Sequence, residues 1–141
     1  MKRLALAAIS SAVLVTSGGT GLTSPVGSWR AKDGAIVRIS PCGRNMCGFI
    51  AQSSPRIDPA TGRPMTDKNN IDPAKRNRPL VGVQVLISMQ PSGPGKWVGR
   101  LYNDDDGGTY SGNLIEVDQS SIRIEGCSVG VCSGDTLTRV K

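Results

Sequence analysis

The sequence predicts an all-β fold: an antiparallel eight-stranded up-and-down barrel with one long loop. Three observations predict it. Beyond residue 25 no stretch sustains a helical apolar period; apolar residues sit instead in short, often alternating runs. Eight such runs follow one another, separated by Gly, Pro, Asp and Asn turns at meander-like spacing. A single stretch, Ser53–Pro79, is too polar and proline-rich for strands, and stands out as the one long loop. Closing the sheet into a barrel hides the edge strands that would otherwise template aggregation.

Each element has its own justification. Lys2 and Arg3 precede an apolar run from Leu4 to Val15, broken only by Ser10 and Ser11, and then small residues from Thr16 to Thr20. Basic, apolar, small is the order of a secretory signal. The run is shorter than the roughly 20 residues that span a bilayer. Residues 1–21 are therefore expected to be a signal peptide, ending somewhere within 17–24, since Ser17, Gly19 and Gly21 are all small enough for its last residue. Residues 25–141 are expected to form one β-barrel domain with no transmembrane segment after cleavage, in the periplasm or secreted.

The predicted strands run Val26–Ala31, Ala35–Ser40, Cys47–Gln52, Leu80–Met89, Lys96–Tyr102, Thr109–Val117, Ser121–Gly126 and Asp135–Lys141. Lys32-Asp33-Gly34 is a hairpin turn, and Pro91-Ser92-Gly93-Pro94-Gly95 a loop. In the fourth strand Val83, Val85, Ile87 and Met89 share one face; in the seventh, Ile122 and Ile124 point inward, Arg123 and Glu125 outward. The long loop is rich in Asp, Asn and Arg rather than Gly and Ser, which predicts order held by side-chain hydrogen bonds, with a short helix near Pro73–Asn77.

Four cysteines form two pairs, Cys42 with Cys47 and Cys127 with Cys132, each with four residues between. In an exported chain an even count reads as disulfides. Hairpins place such flanking residues near disulfide distance, so the local pairing is expected over the other two connectivities and over a four-thiolate zinc site.

The formal charge is +6, from 17 Lys and Arg against 11 Asp and Glu. No basic run is interleaved with aromatics, so a nucleic-acid partner is not expected. With no histidine in the chain, the common acid–base and nucleophile–base arrangements are missing. Asp58, Asp67, Asp72, Asp104, Asp105, Asp106 and Glu116 read as turn and surface carboxylates. Asp67-x-Asn69-x-x-Asp72 lacks the glycine and terminal glutamate of a calcium loop. The expectation is a non-enzyme with no cofactor and no metal.

Several pieces in order resemble a known family: Gly27-x-Trp29; Cys42 to Gly48; Asp67-Lys68-Asn69-Asn70-x-Asp72; Arg76-x-Arg78-Pro79-Leu80 and Gly82; Trp97-x-Gly99 before Tyr102-Asn103; Tyr110; Gly126-Cys127; and Cys132 before Thr138-Arg139. From about Gly27 to Lys141 the chain resembles the exported bacterial family called domain of unknown function 2147. Where that family often carries a tryptophan two residues before the closing arginine, this chain has Leu137. The resemblance implies a lipocalin-like, calycin-type barrel, with Trp29 on the first strand stacked against Arg139 on the last to close one barrel end.

A small ligand, of unknown identity, is expected at the barrel mouth. The long loop would bring Asp67, Asn70, Asp72, Arg76 and Arg78 to it, and Trp97, Arg100, Tyr102 and Tyr110 would line or rim it from the strands. The sequence also allows the loop to be a rigid plug locked by its Arg–Asp network. In that case the protein would be an interaction module with a filled barrel and a partner protein. In the expected structure Trp29 is buried near one end with the Ser53–Pro79 loop across it.

Overall fold

The computed structural model describes residues 24–141, together with Ala12. The expected signal peptide lies outside the described residues. Eight strands form a closed antiparallel barrel in which each pairs with its sequence neighbours and the last with the first. They are β1 (Gly27–Arg30), β2 (Ile36–Cys42), β3 (Asn45–Gln52), β4 (Gln84–Pro91), β5 (Lys96–Tyr102), β6 (Thr109–Glu116), β7 (Ser121–Ser128) and β8 (Val131–Arg139). The meander alternates its connections between two ends. The start of β1, the end of β8 and the β2–β3, β4–β5 and β6–β7 turns form the base. The β1–β2, β5–β6 and β7–β8 turns and the long β3–β4 loop form the mouth. Among the described residues no helix is long and apolar enough to cross a membrane.

The fourth strand departs from its predicted range, Leu80–Met89, and from strict alternation. It starts only at Gln84, because Leu80–Val83 is a tight turn with Gly82 at φ +96°. Its register against β3 shifts beside Gly48, and against β5 between Ile87 and Gln90, where Ser88 sits at φ 48°. Two irregularities move side chains between faces. Leu86 is buried in the core, packed where a Cβ on Gly48 would be only 2.9 Å from its side chain. Ile87, expected to share a face with Val85 and Met89, lines a cleft outside the barrel.

Both local disulfides are present. Cys127 and Cys132 are direct cross-strand partners, Cα atoms 4.0 Å apart, at the neck of the β7–β8 hairpin. Cys42 and Cys47 are diagonal: Cys42 pairs with Asn45 and Cys47 with Ser40, which sets their Cα atoms 5.8 Å apart. The two-residue turn at Gly43-Arg44 is tighter than the four-residue loop expected between the cysteines. With all four thiols in disulfides, none remains for zinc.

Below the mouth, side chains fill the barrel interior and merge with the apolar upper walls at Ile50, Val85 and Leu137. Trp29, Ile39, Leu86, Met89, Leu114 and Ile122 are fully buried and form one cluster. Trp29 donates its indole N–H to the Pro25 carbonyl at 2.7 Å. The Arg139 guanidinium lies 4.2 Å from the Trp29 ring centroid and donates to the carbonyls of Ser24, Val26 and Gln119. A cation over an indole face is attracted by the ring quadrupole. The three carbonyls take three of the guanidinium's five N–H donors, so one arginine ties the segment just before β1 to the β6–β7 turn. Glu116 is buried nearby; burial pushes its carboxyl up, partly offset by the Arg139 charge, and its Oε2 accepts no hydrogen bond.

Candidate functional site

The long loop folds on itself before it meets the barrel. Two isolated bridges, Ile57 with Pro64 and Thr66 with Pro79, zip it into a compact flap. Asp58 caps its tip: the carboxylate accepts the Ala60 N–H at 2.9 Å, and Lys68 pairs with it at 3.4 Å. Asp72 caps the short 3-10 helix Pro73–Lys75 by accepting the Ala74 N–H at 3.0 Å.

Asp67 anchors this flap to the barrel wall and is only 1% exposed. Tyr102 donates to its Oδ1 at 2.5 Å, and its Oδ2 receives Asn70 Nδ2 at 2.8 Å, Arg78 Nε at 2.9 Å and Arg78 Nη2 at 2.8 Å. Burial pushes the Asp67 carboxyl up, but these donors and the Arg78 charge outweigh it and hold the carboxyl below its ordinary value. Burial, together with the bond to Asp67, pushes the Tyr102 hydroxyl up to about 12. Arg76 secures the same corner by donating Nε to the Asn70 carbonyl at 2.8 Å. The loop's predicted polar residues are therefore brought together, and they spend their hydrogen bonds on one another. Within the same run Asn69 donates its Nδ2 to the Asp104 carbonyl at 3.1 Å, which ties the flap to the β5–β6 turn.

The loop lies over the mouth, whereas Trp29 and Arg139 sit at the base. The expectation that both occupy one end is corrected by strand order: the β3–β4 connection falls on the end opposite to the start of β1 and the end of β8. The strand residues also part company. Trp97 begins β5 beside the base turns, paired with Pro91 and Leu114, half-buried against the core and remote from the mouth. Arg100 is exposed on the outer wall, opposite Ile87 and Ser111. Tyr110 donates to Asp106 at 2.6 Å within the β5–β6 turn. Tyr110 is thus also at the mouth, but Tyr102 alone of the four lines a cavity there.

Two cavities flank Tyr102. An outer cleft of about 370 Å³ runs between flap and barrel wall, lined by Asn70, Asp72, Lys75, Arg78, Ile87 and Tyr102 among others. The second, of about 300 Å³, is the upper lumen of the barrel. Val37, Ile50, Val85, Leu101, Ile124 and Leu137 supply apolar walls and floor. Gln52, Ser53, Asn103 and Ser133 add polar groups around the rim, with Asp33, Asp104, Asp105 and Asp135. Asp104 is pushed up by burial and next by the adjacent Asp105 charge, with Asp67 and Asp33 adding to the same effect.

These rim residues were not singled out from sequence. For Asp135 the signal was there: it is two residues before Leu137 on one strand, so if Leu137 points inward Asp135 must do so as well. For Asp33, Asp104 and Asp105 it was not, because turn aspartates look alike whichever way the turn leans.

The fold has a solved counterpart. Protein HP1028 from the human pathogen Helicobacter pylori, described as belonging to the lipocalin family, superposes with a TM-score of 0.70 over 84% of each chain at 19% identity. No curated protein matches the sequence. The barrel is thus lipocalin-like, and the family model for an uncharacterized protein conserved in bacteria, DUF2147, matches residues 27–139, so the chain belongs to that family.

Proposed function

We propose that this is an exported protein, periplasmic or secreted, that binds a small ligand in the upper lumen of its barrel and does not catalyse a reaction. The observation that carries the reading is the division of the barrel interior: the base is filled by side chains, while the upper half keeps a cavity of about 300 Å³ with apolar walls and a polar rim. Apolar walls with a few convergent polar groups are the usual make-up of small-molecule sites, and the volume lies at the lower end of their range. An eight-stranded barrel has the diameter to enclose one small molecule. Two disulfides and the basic–apolar–small N-terminus support export. The absence of histidine supports binding over catalysis.

The site differs from the one expected from sequence. Asp67, Asn70, Arg76 and Arg78 hold the flap in place, and the ligand contacts pass to the lumen walls and rim. The test is saturable binding of the neutral fluorophore N-phenyl-1-naphthylamine to the purified protein. Ser133→Trp, which projects an indole into the lumen from an exposed position, should abolish it with thermal stability unchanged. Binding that ignores Ser133→Trp, or no saturable binding, would remove the lumen from consideration.

A second reading, a protein-interaction module, is favoured by the β7–β8 hairpin. Val129 is 99% exposed and Val131 71% exposed at its tip. A β-branched residue at φ 51°, as Val129 is, costs conformational energy that a polar turn residue would avoid. Loss of a co-purifying protein partner on changing Val129 and Val131 to Ser, with naphthylamine binding intact, would support this second role.

A further inference from the structure

The charge around the lumen runs against the charge of the chain. Lys and Arg outnumber Asp and Glu by 17 to 11 in the sequence. Among the described residues lining the upper lumen there is no lysine or arginine, yet four aspartates line it: Asp33, Asp104, Asp105 and Asp135. They come from three separate elements, the β1–β2 turn, the β5–β6 turn and β8. None belongs to any of the three ion pairs found among the described residues. Asp33 has a local role, accepting the Ala35 N–H at 2.9 Å. No other residue's side chain donates a hydrogen bond to the carboxylates of Asp104, Asp105 or Asp135 among the described residues.

We propose that the lumen ligand is a small amphiphilic cation: an ammonium or amidinium head on a compact apolar body. This rests on the reading of the lumen as a binding site. The head sits among the rim carboxylates, and the body lies against Val37, Leu101, Ile124 and Leu137 below. A bound cation satisfies carboxylates that have no cationic partner and relieves their mutual repulsion. Asp33, Asp105 and Asp135 are exposed and Asp104 is half-buried, so the attraction gains most at Asp104, where solvent screens it least. An anionic head would meet like charge from the two turns and the strand that carry the aspartates, and a neutral one would leave the rim unchanged.

A bare metal ion is a poorer match. No three of these carboxylates bring oxygen atoms within 4.8 Å of one another; the only such grouping among the described residues is Glu125 with the disulfide sulfurs of Cys127 and Cys132. Calcium needs six to eight oxygens at 2.3–2.6 Å. A wider ring of carboxylates suits a polyatomic cation that donates several hydrogen bonds in different directions.

The test is a head-group series on one apolar tail, measured at neutral pH by displacement of N-phenyl-1-naphthylamine and by calorimetry: octylammonium, octanol and octanoate. Octylammonium should bind at least about tenfold more tightly than octanol, and octanoate more weakly than either. Asp135→Asn, and separately the Asp104→Asn/Asp105→Asn pair, should each erase most of the cation preference while leaving octanol affinity in place. These carboxylates take part in none of the ion pairs among the described residues, so thermal denaturation of the variants should match the parent, and Asp33 is left alone because it caps its turn. Equal binding of all three compounds, or a cation preference that survives both sets of substitutions, would overturn the proposal and leave the lumen site standing. Failure of naphthylamine and of all three compounds to bind would remove both.

Discussion

Changing Tyr102 to Phe isolates one bond of the flap anchor. The substitution keeps the ring, and hence its burial, and deletes the hydroxyl that donates to Asp67 at 2.5 Å. Asn70 loses an acceptor at 3.2 Å but keeps its bond to Asp67 at 2.8 Å. A hydrogen bond to a charged, buried acceptor contributes about 1.5–3 kcal/mol. The expected cost is therefore about 2 kcal/mol, equivalent to a Tm lower by roughly 8 °C for a domain of this size. Urea unfolding followed by tryptophan fluorescence, with disulfides intact, measures it. The pH dependence supplies a second check. The folded protein holds the Asp67 carboxyl below its ordinary value, so its stabilising contribution is present above that ordinary value and is lost as pH falls through the folded-state value. Tyr102 is one of the groups holding it down. The deficit of Tyr102→Phe should therefore shrink between pH 7 and pH 3. A deficit under about 0.5 kcal/mol, or one that stays constant across that range, would refute the anchor.

Other expectations follow from the same contacts. Arg139→Ala should cost about 2–3 kcal/mol, since it removes the stack on Trp29 and three donors to backbone carbonyls; thermal denaturation measures it. Gly107→Ala should loosen the flap, because a Cβ there would lie 1.9 Å from the Asn69 carbonyl oxygen; faster amide exchange in the flap with an intact barrel is the expected signature. Replacing Cys127 and Cys132 together with Ser should cost only about 2 kcal/mol, since the loop they close is short. Octylammonium affinity should fall on acidification. Because burial and Asp105 push the Asp104 carboxyl up, it loses its charge ahead of an ordinary carboxylate, and Asp105→Asn should move the midpoint of that fall to lower pH.

Strand periodicity, turn residues and the two cysteine pairs made the barrel legible, because each is a local property with a fixed geometric consequence. The fourth strand was legible only in part. Its bulges answer to close approach at Gly48 and to the Ser88 conformation, which are set by partners distant in sequence. The flap anchor was legible as a group of residues but not as a lock, since nothing in the order of Asp67, Asn70 and Arg78 says that Tyr102 closes it. Trp97 was misplaced to the mouth because alternation gives a residue's face and not its height along the barrel. The acidic rim was hidden for a related reason: it is assembled from two turns and a strand, and turn aspartates carry no label for what they surround.

The split of the barrel interior into a packed base and a cavity-bearing top has a consequence for how such a chain can drift. The residues that hold the fold together at zero exposure, Trp29, Ile39, Leu86, Met89, Leu114 and Ile122, contribute nothing to the cavity lining. Substitutions at rim positions such as Ser133 and Asp135 do not reach that cluster and are expected to be nearly additive with changes in it. The cavity lining can thus change at the top without renegotiating stability at the bottom. Relatives with the same foundation would be free to hold quite different molecules, and sequence likeness at the base would carry little information about what is bound above it.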